Sequence, residues 1–247
     1  MVPSASDDAF YGRMLATLVG CWTRIAEGTD GAAVRRLDGG TAAVFPAGPE
    51  RLFYNNAVLD RGLDGSAAKE AATAIVSIYE QAGVDRYAVW AHESEGMAIA
   101  EIGGRGFRID TSTRAMAMPL EEVAVPKPEI ELGPPDWNEY LRVIEVPDGT
   151  LAGVDAGAFD VLIAQHDGEN VAALMTYDHE GDCGIFNLGT LARARRHGLG
   201  TALTALSVRR ARERGCTTAS LQSTEVAEGI YAAVGFRDLG RFIEYVP

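Results

Sequence analysis

The chain has 247 residues, 47% of them hydrophobic, and a formal net charge of -13. That apolar content is enough for the core of one large domain or two modest ones, and it excludes global disorder. The charge argues against a general nucleic-acid binder, which needs a basic face for phosphates, and mildly favours a cationic substrate, solubility being its commoner meaning.

Cys21, Cys183 and Cys216 are odd in number and widely spaced, so no disulfide framework is expected. His92, His166, His179 and His197 are dispersed, there is no Cys/His cluster, and no metal is expected. The first residues, "MVPSASDDAFYGRM", lack a basic region followed by an apolar run. No stretch approaches the ~20 apolar residues of a membrane span. The expectation is a cytoplasmic protein with no membrane partner.

"DDAFYGRMLATLVGCWTRIAEG" predicts an amphipathic helix, with Asp7 or Asp8 as its cap and Gly28 as its end. Three short strands are expected next, in "AAVRRL", "TAAVFP" and "RLFYNNAVL". "SAAKEAATAIVSIYEQAG" predicts a helix capped by Ser66 and stopped by Gly83. "RYAVWAH" predicts a buried strand, "ESEGMAIAEIGG" a helix and "FRIDTSTRAMAMPL" an alternating strand. The four prolines and the charge of "EEVAVPKPEIELGPP" (121–135) mark a linker. Short helices in "DWNEYLRVIE" and "DAGAFD" precede a hairpin of "VLIAQHD" and "NVAALMTYDHE" about Gly168, then the strand "CGIFNLGT". A helix from about Gly198 to Arg214, stopped by Gly215, leads to the strand "TTASLQS", the helix "EVAEGIYAAV" and the final strand "RFIEYV".

The alternation points to an α/β (α+β, mixed-sheet) fold, and it repeats. "VAEGIYAAVGFR" (226–237) lies on "MAIAEIGGRGFR" (97–108) without gaps, "ASLQS" lies on "AVWAH", and "FN" at 186–187 on "YN" at 54–55. Their common order suggests a duplicated unit, 1–120 and 136–247, joined by 121–135.

"ARARRHGLGTAL" (192–203) is the most distinctive stretch. Leu199, Ala202, Leu203 and Leu206 make one helical face, with Thr201, Thr204 and Ser207 off it. A helix start presents free N–H groups and partial positive charge, glycines remove Cβ atoms from the approach, and arginine adds forked donors. Together they suit a pyrophosphate. A Walker loop is excluded by the missing lysine, and a Rossmann fingerprint by Leu203 and by Gln222 where an acid is wanted. An acyl-coenzyme A loop, Arg/Gln-x-x-Gly-x-Gly/Ala after a strand, fits Arg195, Gly198 and Gly200.

With "IYAAVGF" downstream, the order strand, Arg-x-x-Gly-x-Gly helix, strand, Tyr-helix and Gly-Phe strand resembles the GNAT N-acetyltransferase family over about 160–247. The resemblance implies acyl transfer from acetyl-CoA, as cosubstrate, to a primary amine on a small molecule or a protein. It implies two central strands that splay apart, with a free edge at Phe186, Leu188 and Thr190 for the pantetheine. The backbone of Arg196, His197, Gly198, Leu199, Gly200 and Thr201 would hold the pyrophosphate, with Arg195 and Arg196 as charge partners. Tyr231 matches the family tyrosine that faces the thioester sulfur and can protonate a departing thiolate. No carboxylate lies on the matching strand, so no base is assigned: Asn187 and Ser223 are candidate water holders, and Glu225 and Glu228 read as solvated charge. Thr224 stands where the family commonly has asparagine, which puts one cofactor hydrogen bond in doubt. The alternative is a non-catalytic acyl-CoA-binding sensor. The first half reads as a degenerate copy, with "DRGLDGS" for the loop and Ile102 for Tyr231. Asn55, Asn56, Trp90 and His92 are candidate pocket residues there, packing being their commoner role.

Overall fold

The computed structural model describes residues 5–48, 55–147 and 151–247, so the strand reading over 51–54 and the first four residues lie outside it. The chain forms six α-helices and ten strands among the described residues: α1 Ala5–Glu27, β1 Ala33–Leu37, β2 Gly40–Val44, β3 Asn56–Leu59, α2 Gly65–Gln81, β4 Ala88–His92, α3 Gly96–Gly104, β5 Arg108–Pro119, α4 Trp137–Val143, β6 Asp160–His166, β7 Glu169–His179, β8 Asp182–Thr190, α5 Leu199–Glu213, β9 Thr218–Ser223, α6 Glu228–Val234 and β10 Arg237–Val246. "DAGAFD" contributes a single 3-10 turn, Ala156–Ala158. No helix among the described residues is long and apolar enough to cross a membrane.

Two compact units divide the chain, one of 1–18 with 115–239 and the other of 19–114 with 240–247. Each unit is built from stretches of chain far apart in sequence. β10 follows α6 in sequence, yet it pairs antiparallel with β4, Phe242 opposite His92. β5 follows α3, yet it neighbours β9.

In the 19–114 unit the strand order is β1-β2-β3-β4-β10. Its sheet is mixed: β1·β2 and β2·β3 are antiparallel and β3·β4 is parallel. Ala68, Ala71, Ile75 and Tyr79 of α2 pack on Ala57, Leu59 and Val89. Tyr79 stacks on Tyr87 with ring centroids 4.0 Å apart, and its hydroxyl donates to the Ala43 carbonyl. Asp64, rather than Ser66, caps α2: its carboxylate accepts from the Ala67 N–H. Gly83, at φ 68°, ends that helix in the left-handed region, where a Cβ is unfavourable.

In the 115–239 unit the order is β5-β9-β8-β7-β6, again mixed: β6·β7 and β7·β8 are antiparallel and β8·β9 is parallel. Leu203, Leu206 and Val208 of α5 pack on Leu162, Leu174, Ile185 and Leu221. Thr204 and Ser207, expected off the apolar face, are fully buried. Their hydroxyls donate to the Gly200 and Thr204 carbonyls, so α5 buries a wider face than its apolar residues alone define. The proline-rich stretch expected as a linker lies against this core through Val123, Val125, Ile130 and Leu132. Leu132 forms a bridge with Ala164 of β6.

Candidate functional site

β8 is paired to β9 over only three residues, Asp182, Cys183 and Gly184, opposite Thr218, Ala219 and Ser220. β8 then runs on to Thr190 and β9 to Ser223 without pairing each other. The paired end is pinned by a buried carboxylate. Asp182 accepts from Thr17 (2.8 Å), Thr218 (2.6 Å) and Ser220 (2.6 Å), which ties α1, β8 and β9 together. The open segment carries a bulge on its other side. Ala173 faces Gly189 and Met175 faces Phe186, so Asn187 and Leu188 together oppose Leu174. Asn187 takes φ 51°, a left-handed conformation that asparagine tolerates better than most residues. Phe186, Leu188 and Thr190 therefore lie on a strand segment with no partner on the β9 side.

Their side chains do other things. The Phe186 ring folds over Gly184, where a Cβ would sit 2.5 Å from it, so the glycine is required there. Leu188 packs with Leu199 and Ile230 on the core, and the Thr190 carbonyl accepts from Arg195 Nε at 3.1 Å.

Beyond β8 the chain makes a 3-10 turn, Ala192–Ala194, and enters α5 through its N-cap Gly198, whose φ of 75° lies in the left-handed region that favours glycine. No side chain caps α5, and no acid stands in its first turn. Its first N–H groups and the positive end of its dipole are thus left for an anion. Arg195, Arg196 and His197 are exposed on this loop, Arg196 at φ 70°. Arg193, by contrast, is held by Glu169 at 2.6 Å. Gly200 has a packing reason as well as the ligand reason read from the motif: a Cβ there would lie 3.2 Å from Ile230 Cδ1 and 3.5 Å from Leu188 Cδ2. The two nearest atoms are ends of flexible side chains on α6 and β8, so the fit there is close without being closed to a methyl group.

Tyr231, on α6, is 6% exposed, and its ring meets Phe236 edge-on at 6.0 Å. Burial pushes its phenol pKa well up, so at neutral pH it keeps its proton. Ser223 is buried and donates to the Thr224 carbonyl, while Glu225 is exposed.

The loops about α2 and α3 in the 19–114 unit are built differently. β3 ends at Leu59, one residue beyond its last pair, Val58 opposite Trp90. The α2 start carries the Asp64 carboxylate, a negative charge where α5 has none. Glu95, before α3, accepts from the Gly62 N–H at 2.7 Å and pairs with Arg61, which bridges the two loops. Ile102, which the sequence alignment of the halves sets against Tyr231, is buried in the core. Asn55 is buried and bonded to Phe45 and Gly48, and His92 is buried against Ser94.

An open strand pair, an uncapped glycine-entered helix and a buried tyrosine thus belong to one unit. Residues 122–236 match the acetyltransferase (GNAT) family. Over that segment, a little under half of the chain, the sequence is similar to a family of acetyltransferases, and the fold is that of GNAT structures. Solved structures with this fold include a GCN5-related N-acetyltransferase from Kribbella flavida, 16% identical, with a TM-score of 0.72 over 99% of this chain and 96% of that one. Another, from Sphaerobacter thermophilus, is 16% identical with a TM-score of 0.57, over 98% and 93%. A tandem GNAT protein from the clavulanic acid biosynthesis pathway is 13% identical with a TM-score of 0.56, over 95% and 94%. No curated protein matches the chain significantly. No group of three or more metal-ligating side chains occurs among the described residues.

Sequence reasoning missed Asp182, Asp64 and the Asn187 bulge. A lone Asp ahead of an apolar strand was the one visible signal for Asp182, and an Asp three residues before an alanine-rich run was the signal for Asp64.

Proposed function

We propose that this protein is an acetyl-CoA-dependent N-acetyltransferase that acetylates a primary amine. The observation that carries the reading is the end of β8·β9 pairing at Gly184 and Ser220, beside the uncapped start of α5. The free edge at Phe186, Leu188 and Thr190 offers backbone hydrogen bonds to the pantetheine amides. The N–H groups from Arg196 to Thr201 receive the pyrophosphate, with Arg195 and Arg196 supplying charge. Bound acetyl-CoA supplies the acyl thioester. Tyr231, neutral because it is buried, holds its proton ready for the thiolate that leaves. A net charge of -13 suits a cationic acceptor.

The two halves are proposed to be copies of one GNAT-like unit with their last strands exchanged. The first is degenerate: the Asp64 carboxylate occupies the anion position of its helix, and Glu95 closes the gap between its loops. Supporting this, both halves run strand, helix, strand, helix, strand, with a parallel pair in the same place.

Acetyl-CoA at about 100 times its Kd is expected to stabilise the chain by about 2.7 kcal/mol. An Arg195→Ala, Gly198→Glu double variant is expected to lose that response. No shift in the wild-type melting point at saturating acetyl-CoA would defeat the reading. Thiol release with a panel of amines separates the enzyme from an acyl-CoA-binding sensor, which releases none.

A further inference from the structure

The β6–β7 hairpin brings to the loop a side chain that the Arg-x-x-Gly-x-Gly stretch does not contain. The two strands turn at Asp167 and Gly168, both at positive φ (52° and 74°), as a two-residue type I′ turn requires. This places His166 opposite Glu169. The chain leaving β8 continues alongside β7, because the Leu191 N–H donates to the Val171 carbonyl at 2.8 Å. It meets the hairpin tip twice. Arg193 Nη2 lies 2.6 Å from Glu169 Oε2, and the His197 ring stands 4.5 Å from the His166 ring at 81°.

The charges at this tip are unbalanced. Glu169 is taken by Arg193. Asp167, 3.8 Å from His166 Nε2, is 91% exposed and so strongly screened. Beside them stand two imidazoles set edge to face, and the same loop carries the exposed Arg196 and Arg195, whose Nε donates to the Thr190 carbonyl. The imidazole pair packs without burying either residue: the His166 side chain is 38% exposed and His197 is exposed. A paired imidazole site on a loop rich in arginine, with few local acceptors, matches a phosphate monoester, which brings two negative charges and three acceptor oxygens.

The geometry points to a phosphate-monoester subsite at this hairpin tip, formed by His166 and His197 with Arg195 and Arg196, which takes the ribose phosphate of coenzyme A. It rests on the coenzyme A reading of the loop. It adds His166, from a different element, as a residue that distinguishes coenzyme A from the same molecule without that phosphate.

Calorimetric titration of the full chain with coenzyme A and with 3′-dephospho-coenzyme A tests it. Wild type is expected to bind coenzyme A more tightly. In His166→Ala the affinity for coenzyme A falls roughly fivefold, the scale of an exposed charge contact, while that for the dephospho form stays put and so reports an intact fold. His166→Gln, which keeps a donor, recovers part of the difference. Equal weakening of both ligands, no change in either, or a wild type that binds both equally overturns the subsite and leaves the coenzyme A reading standing. A wild type that binds neither ligand overturns that reading, and the subsite with it.

Discussion

Gly184 and Ser220 are the last paired residues of β8 and β9, and Asp182, two residues earlier, holds the hydroxyls of Thr218 and Ser220 at 2.6 Å each. The strands are clamped on one side of this point and open on the other. Asp182 is 2% exposed, so removing its carboxylate strands three hydroxyl groups in the interior. Asp182→Ala is expected to cost about 3 kcal/mol. Denaturant unfolding measures this, and a midpoint equal to wild type would show that the clamp does not hold the split.

Tyr231→Phe keeps the ring packed on Phe236 and deletes the hydroxyl. Turnover is expected to fall roughly a hundredfold, the lower end of proton-transfer catalysis. Affinity for acetyl-CoA is expected to stay within about twofold, since the ring contact survives. Unchanged turnover would remove the phenol from the chemistry.

Gly198 and Gly200 are expected to respond differently to alanine. At Gly198 the backbone φ is 75°, and a Cβ there costs about 1 kcal/mol even though open space surrounds it. At Gly200 the Cβ meets only the flexible tips of Ile230 and Leu188, so the loss is expected to be smaller. Thermal melts of the two single variants check the order, and the reverse order would contradict the strain argument.

Acid stability should track Asp178. Burial alone would raise its carboxyl pKa, but the hydrogen bonds and charge of Arg214, at 2.6 and 2.9 Å, outweigh burial and hold it below the ordinary range. A depressed folded pKa gives stability that is full above the unfolded value of about 3.9 and is lost as pH falls through the folded value. The pair is partly exposed, so its contribution is about 1 kcal/mol. Asp178→Asn is therefore expected to flatten the pH dependence of the melting point below about pH 4. A slope as steep as wild type would refute the assignment.

One acetyl-CoA per chain is expected from the proposed duplication, since Asp64 caps α2 and Glu95 ties its loop to the start of α3. Calorimetric stoichiometry checks it. Two sites would falsify the degenerate reading. Asp64→Ala is expected to destabilise α2 by about 1 kcal/mol through loss of its cap.

Much of the local structure around the proposed site is legible in the sequence because its signals are local. Gly198, Gly200 and the arginines before them mark a helix start that no side chain closes, and α5 begins there. Gly83, Gly215 and Gly168 each stand at the left-handed turn their positions implied. Less legible were residues whose meaning depends on a distant partner. Ser66 looked like the cap of α2 because serine caps well, but Asp64 reaches the Ala67 N–H. Thr204 and Ser207 looked like a polar face because hydroxyls usually seek water. A helix can instead satisfy them from its own carbonyls and bury them.

By itself, then, the sequence determined most of the elements, the glycine-entered start of α5 and the place of Tyr231 on α6, because hydrophobic period, turn residues and caps act over a few residues. Only the tertiary structure decided which strands share a unit, where β8 and β9 part, and that His166 meets His197. Those depend on strand register and on contacts between residues far apart in the chain. β10 lies beside β4 rather than within the half that precedes it, and no local pattern encodes that choice of neighbour.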